Sequence, residues 1–223
     1  MKERPLIFTG ESVRAILAGR KTQTRRVIKP QPVRDATAWA IYWERANHEG
    51  QYGPSAWSLN EHVPPDVLLH SPYGVPGDRL WVRETWCEAA PEHRDVSGVR
   101  QAFHRANSAK DRGGEGEAIR QEYIRLGYPY KWKSPMFMPR WASRLLLEVV
   151  AVRVERLQSI TDADAKAEGA SGRLVMFTRW PGREDPGDWT AQEEFESAWE
   201  QINGKRHPWS SNPWVWVIEF KRI

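Results

Sequence analysis

Ile16-Leu17-Ala18-Gly19-Arg20-Lys21-Thr22-Gln23-Thr24-Arg25-Arg26 is the stretch on which the reading of this 223-residue chain turns. A short apolar run ends on a glycine, and a polar run dense in cations follows at once. Ser12 is placed to cap a helix over Val13 to Ala18, with Val13, Ile16 and Leu17 as its apolar side. Gly19 stands where helices commonly end on a residue of positive φ. Thr22 to Ile28 then reads as extended. The basic excess is local. Residues 1–30 hold eight basic and two acidic residues, so with a net charge of +4 for the whole chain the other 193 residues sum to −2. Such a cluster is either a solvated basic edge or a site for a polyanion or nucleotide.

Composition narrows the classes around that motif. Hydrophobic residues make up 40% and charged residues 28%, which excludes wholesale disorder. No apolar run approaches the roughly 20 residues of a membrane-spanning helix, and MKERPLIFTG lacks the apolar stretch of a signal peptide. The expectation is a soluble, cytoplasmic protein with no membrane partner. Cys87 is the one cysteine, so no internal disulfide forms. Without CxxC or a Cys/His pair, and with six histidines scattered at 48, 61, 70, 94, 104 and 207, neither a metal site nor a cofactor is expected. Thirteen tryptophans fill a core or stack on bases. Trp39, Trp43, Trp57, Trp132, Trp180 and Trp189 fall in loop-like sequence, where stacking is the less remote reading.

Working outward, Pro5 to Thr9 reads as a strand and Pro76-Gly77-Asp78 as a turn. After it, Leu80, Val82, Glu84 and Trp86 alternate with Arg79, Trp81, Arg83 and Thr85. The span Arg144 to Leu157 is a long strand, with Val150, Val152 and Val154 on one side. Thr161 to Asp164 caps a short helix ending near Gly169. Thr190 and Glu193 have capping-box spacing ahead of a helix whose stripe is Phe195, Ala198, Trp199 and Ile202. Trp214 to Ile223 is a last, apolar strand. A hairpin is expected around Trp39 to Trp43 and a helix over about 117–126. Non-local strands with short helices between them predict an α+β fold, a small β-barrel with helical decoration. One domain spans 1–223, with insertions near 30–75, 88–130 and 172–188.

The quoted motif resembles the signature of the ASCH family, whose fold is a PUA-like β-barrel. Three further segments resemble it in family order: Gly77-Asp78-Arg79-Leu80-Trp81-Val82, Ile160 to Glu168, and Val217-Ile218-Glu219-Phe220-Lys221. Together they cover about half of the chain, and the insertions lie outside. Within the family the chain is similar to small amidohydrolases that remove the acyl group from N4-acetylcytidine. That resemblance implies a catalytic trio of Lys21, Thr24 and Glu168, a modified cytosine nucleoside as substrate, and no metal. The family also holds RNA-binding modules and members with nuclease activity, so RNA is the rival partner.

The chemistry of the residues is compatible with that trio. A threonine hydroxyl needs a base before it attacks. A lysine amine serves as base only if its proton affinity falls, and Arg20, Arg25 and Arg26 crowd Lys21. Glu168 at a helix C-terminus opposes the helix dipole, which hints at another reason for an acid there. Residues three apart in a regular strand face opposite ways, so Lys21 and Thr24 converge only if the chain after Gly19 is irregular. If it is regular, Thr22 is the reserve hydroxyl. Direct attack by a water activated by Lys21 or Glu168 fits equally. Glu84 lies on an apparently buried strand face, as a substrate contact or as half of an ion pair with an arginine. Arg26 is the candidate to hold a substrate carbonyl or phosphate, or to make that ion pair.

Overall fold

The computed structural model describes residues 1–31, 44–46, 52–54, 71–88, 102–107, 124–127, 131–171 and 190–223. The expected hairpin at Trp39 to Trp43, most of the helix over 117–126, the irregular stretch 172–188, and Trp57, Trp180 and Trp189 lie outside them. Nine strands are described: β1 (Glu3–Ile7), β2 (Gln23–Val27), β3 (Glu44–Ala46), β4 (Tyr52–Pro54), β5 (Arg79–Arg83), β6 (Trp86–Glu88), β7 (Ala102–His104), β8 (Leu146–Arg156) and β9 (Trp214–Arg222). The helices are α1 (Gly10–Leu17), α2 (Asp162–Ala167) and α3 (Ala191–Asn203). The class is mixed α+β, as the sequence predicts. Five strands hydrogen-bond in the order β1-β5-β8-β9-β2, and β3-β4 and β6-β7 form two small ribbons. No closed barrel is present among the described residues; β1 and β2 stand at the two ends of the order. The chain divides into two compact units: Met1–Lys21 with Asp78–Glu148 and Lys221–Ile223, and Thr22–Gly77 with Val149–Phe220.

In the first unit β1 runs parallel to β5, from Glu3 opposite Arg79 to Ile7 opposite Arg83. The expected buried face holds: Leu80, Val82, Glu84 and Trp86 are all buried, and Trp81 on the opposite face is buried as well. Gly77 takes the turn before β5 at φ +89°, a conformation that costs other residues. One expectation is corrected. Ser12 does not cap α1; Thr9 does, its hydroxyl accepting from the Ser12 backbone N–H at 3.2 Å. Thr9 is extended, at φ −70° and ψ 159°, which leaves its side chain free to reach forward. The helix therefore starts earlier and buries Val13, Ala15 and Ile16, while Leu17 is half-buried. Gly19 follows with φ +72°, as expected.

In the second unit β2 pairs antiparallel with β9, from Gln23 opposite Glu219 to Val27 opposite Val215. Val215, Trp216, Val217, Ile218 and Phe220 are all buried, so β9 is covered on both faces. Both expected helix caps form as full capping boxes, Thr161 with Asp164 on α2 and Thr190 with Glu193 on α3. Trp199, Leu157, Val215 and Val217 make a core cluster, with Phe195, Val27 and Trp209 packed against it. The predicted α3 stripe needs correction: Ala198 is exposed and Ile202 is 65% exposed. Core contact ends at Trp199, whose indole N–H donates to the His207 carbonyl at 2.8 Å where the chain turns back. The expected valine face of β8 also breaks. Val149 and Val152 are buried but Val150 is 49% exposed, so the alternation shifts phase by one residue between them.

Candidate active site

The site is built on β2. Its backbone is fixed before the strand begins: the Thr22 N–H donates to the Ala167 carbonyl at 2.8 Å, and the Thr22 carbonyl accepts from the Phe220 N–H at 2.9 Å. From Gln23 onward the register with β9 is regular. Gln23, Arg25 and Val27 therefore share one face, and Thr24 and Arg26 the other. Thr24 is buried and Thr22 is exposed.

The Gln23 face carries a dense ionic network. The Arg25 side chain is 0% exposed. Its Nη2 lies 3.2 Å from Glu155 and 3.3 Å from Asp164, and its Nη1 lies 3.6 Å from Glu168. The same Nη1 donates to the Gln23 amide oxygen at 2.5 Å, and the Gln23 amide nitrogen donates to Asp164 at 3.1 Å. Arg153 joins from β8, donating to Asp164 at 3.1 Å, to Glu155 at 2.5 Å, and to Glu219 on β9. The Phe195 ring on α3 closes the network, its centroid 6.0 Å from the Arg25 guanidinium carbon.

The local reason for this gathering is the spacing on α2. Asp164 and Glu168 are four apart, one turn of helix, so both carboxylates project from one side. Glu168 is the C-cap residue, with its side chain 5% exposed. Two like charges on one helix side, one of them against the dipole, repel mildly, and Arg25, paired with both, offsets that repulsion. Gly169 then leaves the helix at φ +101°.

Burial would raise the Asp164 carboxyl, but the hydroxyl and N–H of Thr161, the Gln23 amide and Arg25 outweigh it and hold it at about 2. Burial opposes the charge on Arg153, yet hydrogen bonds and charge from Glu155 and Glu219 leave its guanidinium above the ordinary arginine value. Burial pulls Arg26 below that value, with Tyr73 and Glu168 opposing. Tyr73 is pushed up by its own burial, with Arg26 opposing.

The six residues singled out by sequence are thus distributed. Thr24, Arg26, Glu168 and Thr22 belong to the second unit. Lys21 is the last residue of the first unit; it is buried, and its N–H donates to the Ala15 carbonyl at 3.1 Å. It precedes the regular strand, in the segment that follows the positive φ of Gly19. Glu84 also belongs to the first unit, and its partner is Arg144, not Arg26. The two make a bidentate pair at 2.9 and 3.1 Å. Beside them His104 bonds the Ala142 carbonyl at 2.8 Å through Nε2, and burial lowers its pKa despite that bond.

Arg25, Asp164, Glu155 and Gln23 were missed by sequence reasoning as site residues. The i,i+4 acid pair on α2 was a weak signal: it favours a cation nearby but does not say which residue supplies it. No family model, no curated protein and no solved structure matches the chain.

Proposed function

We propose that the chain is a PUA-like ASCH protein that hydrolyses the exocyclic amide of N4-acylated cytosine nucleosides. The observation that carries this reading is burial of the motif's chemistry. Lys21 is 5% exposed, Thr24 4%, and the Glu168 side chain 5%. Withdrawing an amine, a hydroxyl and a carboxylate from water is costly without compensation, and a few placed polar groups withdrawn from water are what a small-molecule site uses to orient its ligand. Lys21 takes the proton of the Thr24 hydroxyl, and the Thr24 oxygen attacks the acyl carbon. The C–N bond breaks, and the cytosine 4-amino group leaves with that proton. Water then hydrolyses the acyl ester and releases a carboxylic acid. Glu168 orients the amine and relays protons. A water activated by Lys21 or Glu168 achieves the same balance in one step. Arg26 is the group to hold the acyl carbonyl, and Thr22 is the reserve hydroxyl.

Nucleic-acid binding by the basic run is the weaker reading, because phosphate contacts require exposed cations. Of Arg20, Lys21, Arg25 and Arg26, Arg20 alone is exposed to water, and Arg25 is committed to three carboxylates. The test is turnover of N4-acetylcytidine, read as the absorbance change when the amide conjugated to the ring is cut. Lys21→Ala abolishes it, since neighbouring arginines stay protonated at any useful pH. Thr24→Ala is equally damaging if the hydroxyl is the nucleophile, whereas Thr24→Ser keeps part of the rate. Melting temperatures near the parent value separate loss of chemistry from unfolding. Full activity in Lys21→Ala, or no turnover by the parent of any acyl chain length, overturns the proposal.

A further inference from the structure

We propose that Arg25 is the positioning residue of this site, fixing the direction of the Glu168 carboxylate; the inference rests on the role given to Glu168 above. Arg25 has no route to a substrate, since its side chain is 0% exposed, so whatever it does it does through its neighbours. Three of its contacts hold it in place. Glu155 and Asp164 take Nη2, and the Gln23 amide oxygen takes Nη1 at 2.5 Å. A guanidinium is planar and rigid, so fixing these contacts also fixes where the charge on Nη1 sits. Glu168 Oε1 lies 3.6 Å from Nη1, in an ion pair longer than a hydrogen bond. Without Arg25, Glu168 would keep two repulsions, from the helix C-terminus and from Asp164 one turn away, while Arg26, which also attracts it, would pull from a different side. Its carboxylate would then leave the position in which it relays a proton.

A lysine at 25 keeps the charge but cannot fork to three carboxylates and an amide. Arg25→Lys is therefore expected to melt near the parent temperature and to lose about a hundredfold in kcat with KM nearly unchanged, the order of loss for a misplaced catalytic group. Guanidinium ion at low millimolar concentration is expected to restore part of the rate to Arg25→Ala, and ammonium ion is not. Lys166→Ala removes only the exposed pair with Asp162 at 2.7 Å and is expected to leave kcat unchanged. If Arg25→Lys does not fold, Glu155→Gln loosens one anchor of Nη2 and is expected to lower kcat in the same way. A parent enzyme that turns over with Arg25→Lys, or in its place Glu155→Gln, at parental kcat overturns this inference alone. A parent with no turnover overturns the functional reading and this inference with it.

Discussion

Each unit has, among the described residues, an arginine paired with a carboxylate that is almost fully buried, Glu84 in the first and Glu168 in the second, and the two arrangements are built on opposite plans. In the first, Glu84 and Arg144 face each other one to one, both carboxylate oxygens engaged. In the second, the Arg25 guanidinium is shared among Glu155, Asp164 and Glu168, and Arg153 adds Glu219 while sharing two of the same acids. In a bidentate pair both carboxylate oxygens are held by one cation, so each charge is offset by its own partner. A shared cation is divided among several acids, so the position of each carboxylate depends on the others. The closed pair reads as a device for holding β5 to the chain leading into β8. The shared one reads as a device for poising a carboxylate.

The largest effect should come from breaking the closed pair. Arg144→Ala leaves Glu84, which is buried, without its cation, and removing one partner of a buried pair costs about 3–5 kcal/mol. Urea denaturation measures it. Replacing both together, Glu84→Leu with Arg144→Met, should recover most of that loss, because two apolar groups leave no charge stranded. A double variant as unstable as Arg144→Ala would show that the pair is not closed in the sense argued, and the contrast between the units would fail.

A smaller effect belongs to the shared network. The Asp164 carboxyl is held at about 2 against an ordinary value of 3.8. Because the folded value is the lower, the stabilisation is fully present above the unfolded pKa and is lost as pH falls through the folded one. It amounts to on the order of 2 kcal/mol at neutral pH, reduced by partial exposure of the side chain. Asp164→Asn should therefore destabilise the protein at pH 6 and cost progressively less between about pH 4 and pH 2. Denaturation at three pH values reads it, and a pH-independent cost would locate the effect in packing instead.

What was legible in the sequence was local. Gly19, the Pro76-Gly77 turn and the caps at Thr161 and Thr190 each depend on a few adjacent residues, and all form where the sequence places them. The buried face of Leu80, Val82, Glu84 and Trp86 followed from period two. The ionic network was not legible, because Arg25 and Glu155 lie 130 residues apart and Arg25 and Asp164 farther still. Arg144 as the partner of Glu84 was hidden for the same reason, at a separation of 60. Even local signals erred where two candidates competed. Thr9 and Ser12 both offer a capping hydroxyl, and the choice fell to the residue whose extended backbone directly leads the helix. Along α3, Ile202 continued the apolar pattern past the point where the helix has anything to pack against.

The smallest expected effect compares the two threonine caps. Thr9→Ala on α1 and Thr161→Ala on α2 each remove a hydroxyl that accepts from the third backbone N–H beyond it, at 3.2 and 3.1 Å. Each should cost about 1 kcal/mol near neutral pH. They differ in what else the hydroxyl touches. Thr9 donates to the Ser12 hydroxyl at 3.1 Å, which does not titrate in this range. Thr161 donates to the Asp164 carboxylate at 2.8 Å, one of the bonds holding that group at about 2. Removing it lets the folded Asp164 value rise towards the unfolded one. The part of the Thr161→Ala cost that comes from the ionised acid is then present above about pH 4 and vanishes by pH 2, whereas the Thr9→Ala cost stays level. Thermal melts of both variants against the parent at pH 6, 4 and 2.5 resolve the difference. Parallel costs at all three would mean that the α2 cap is mechanically separate from the Arg25 network, and that Asp164 serves the helix and the cation independently.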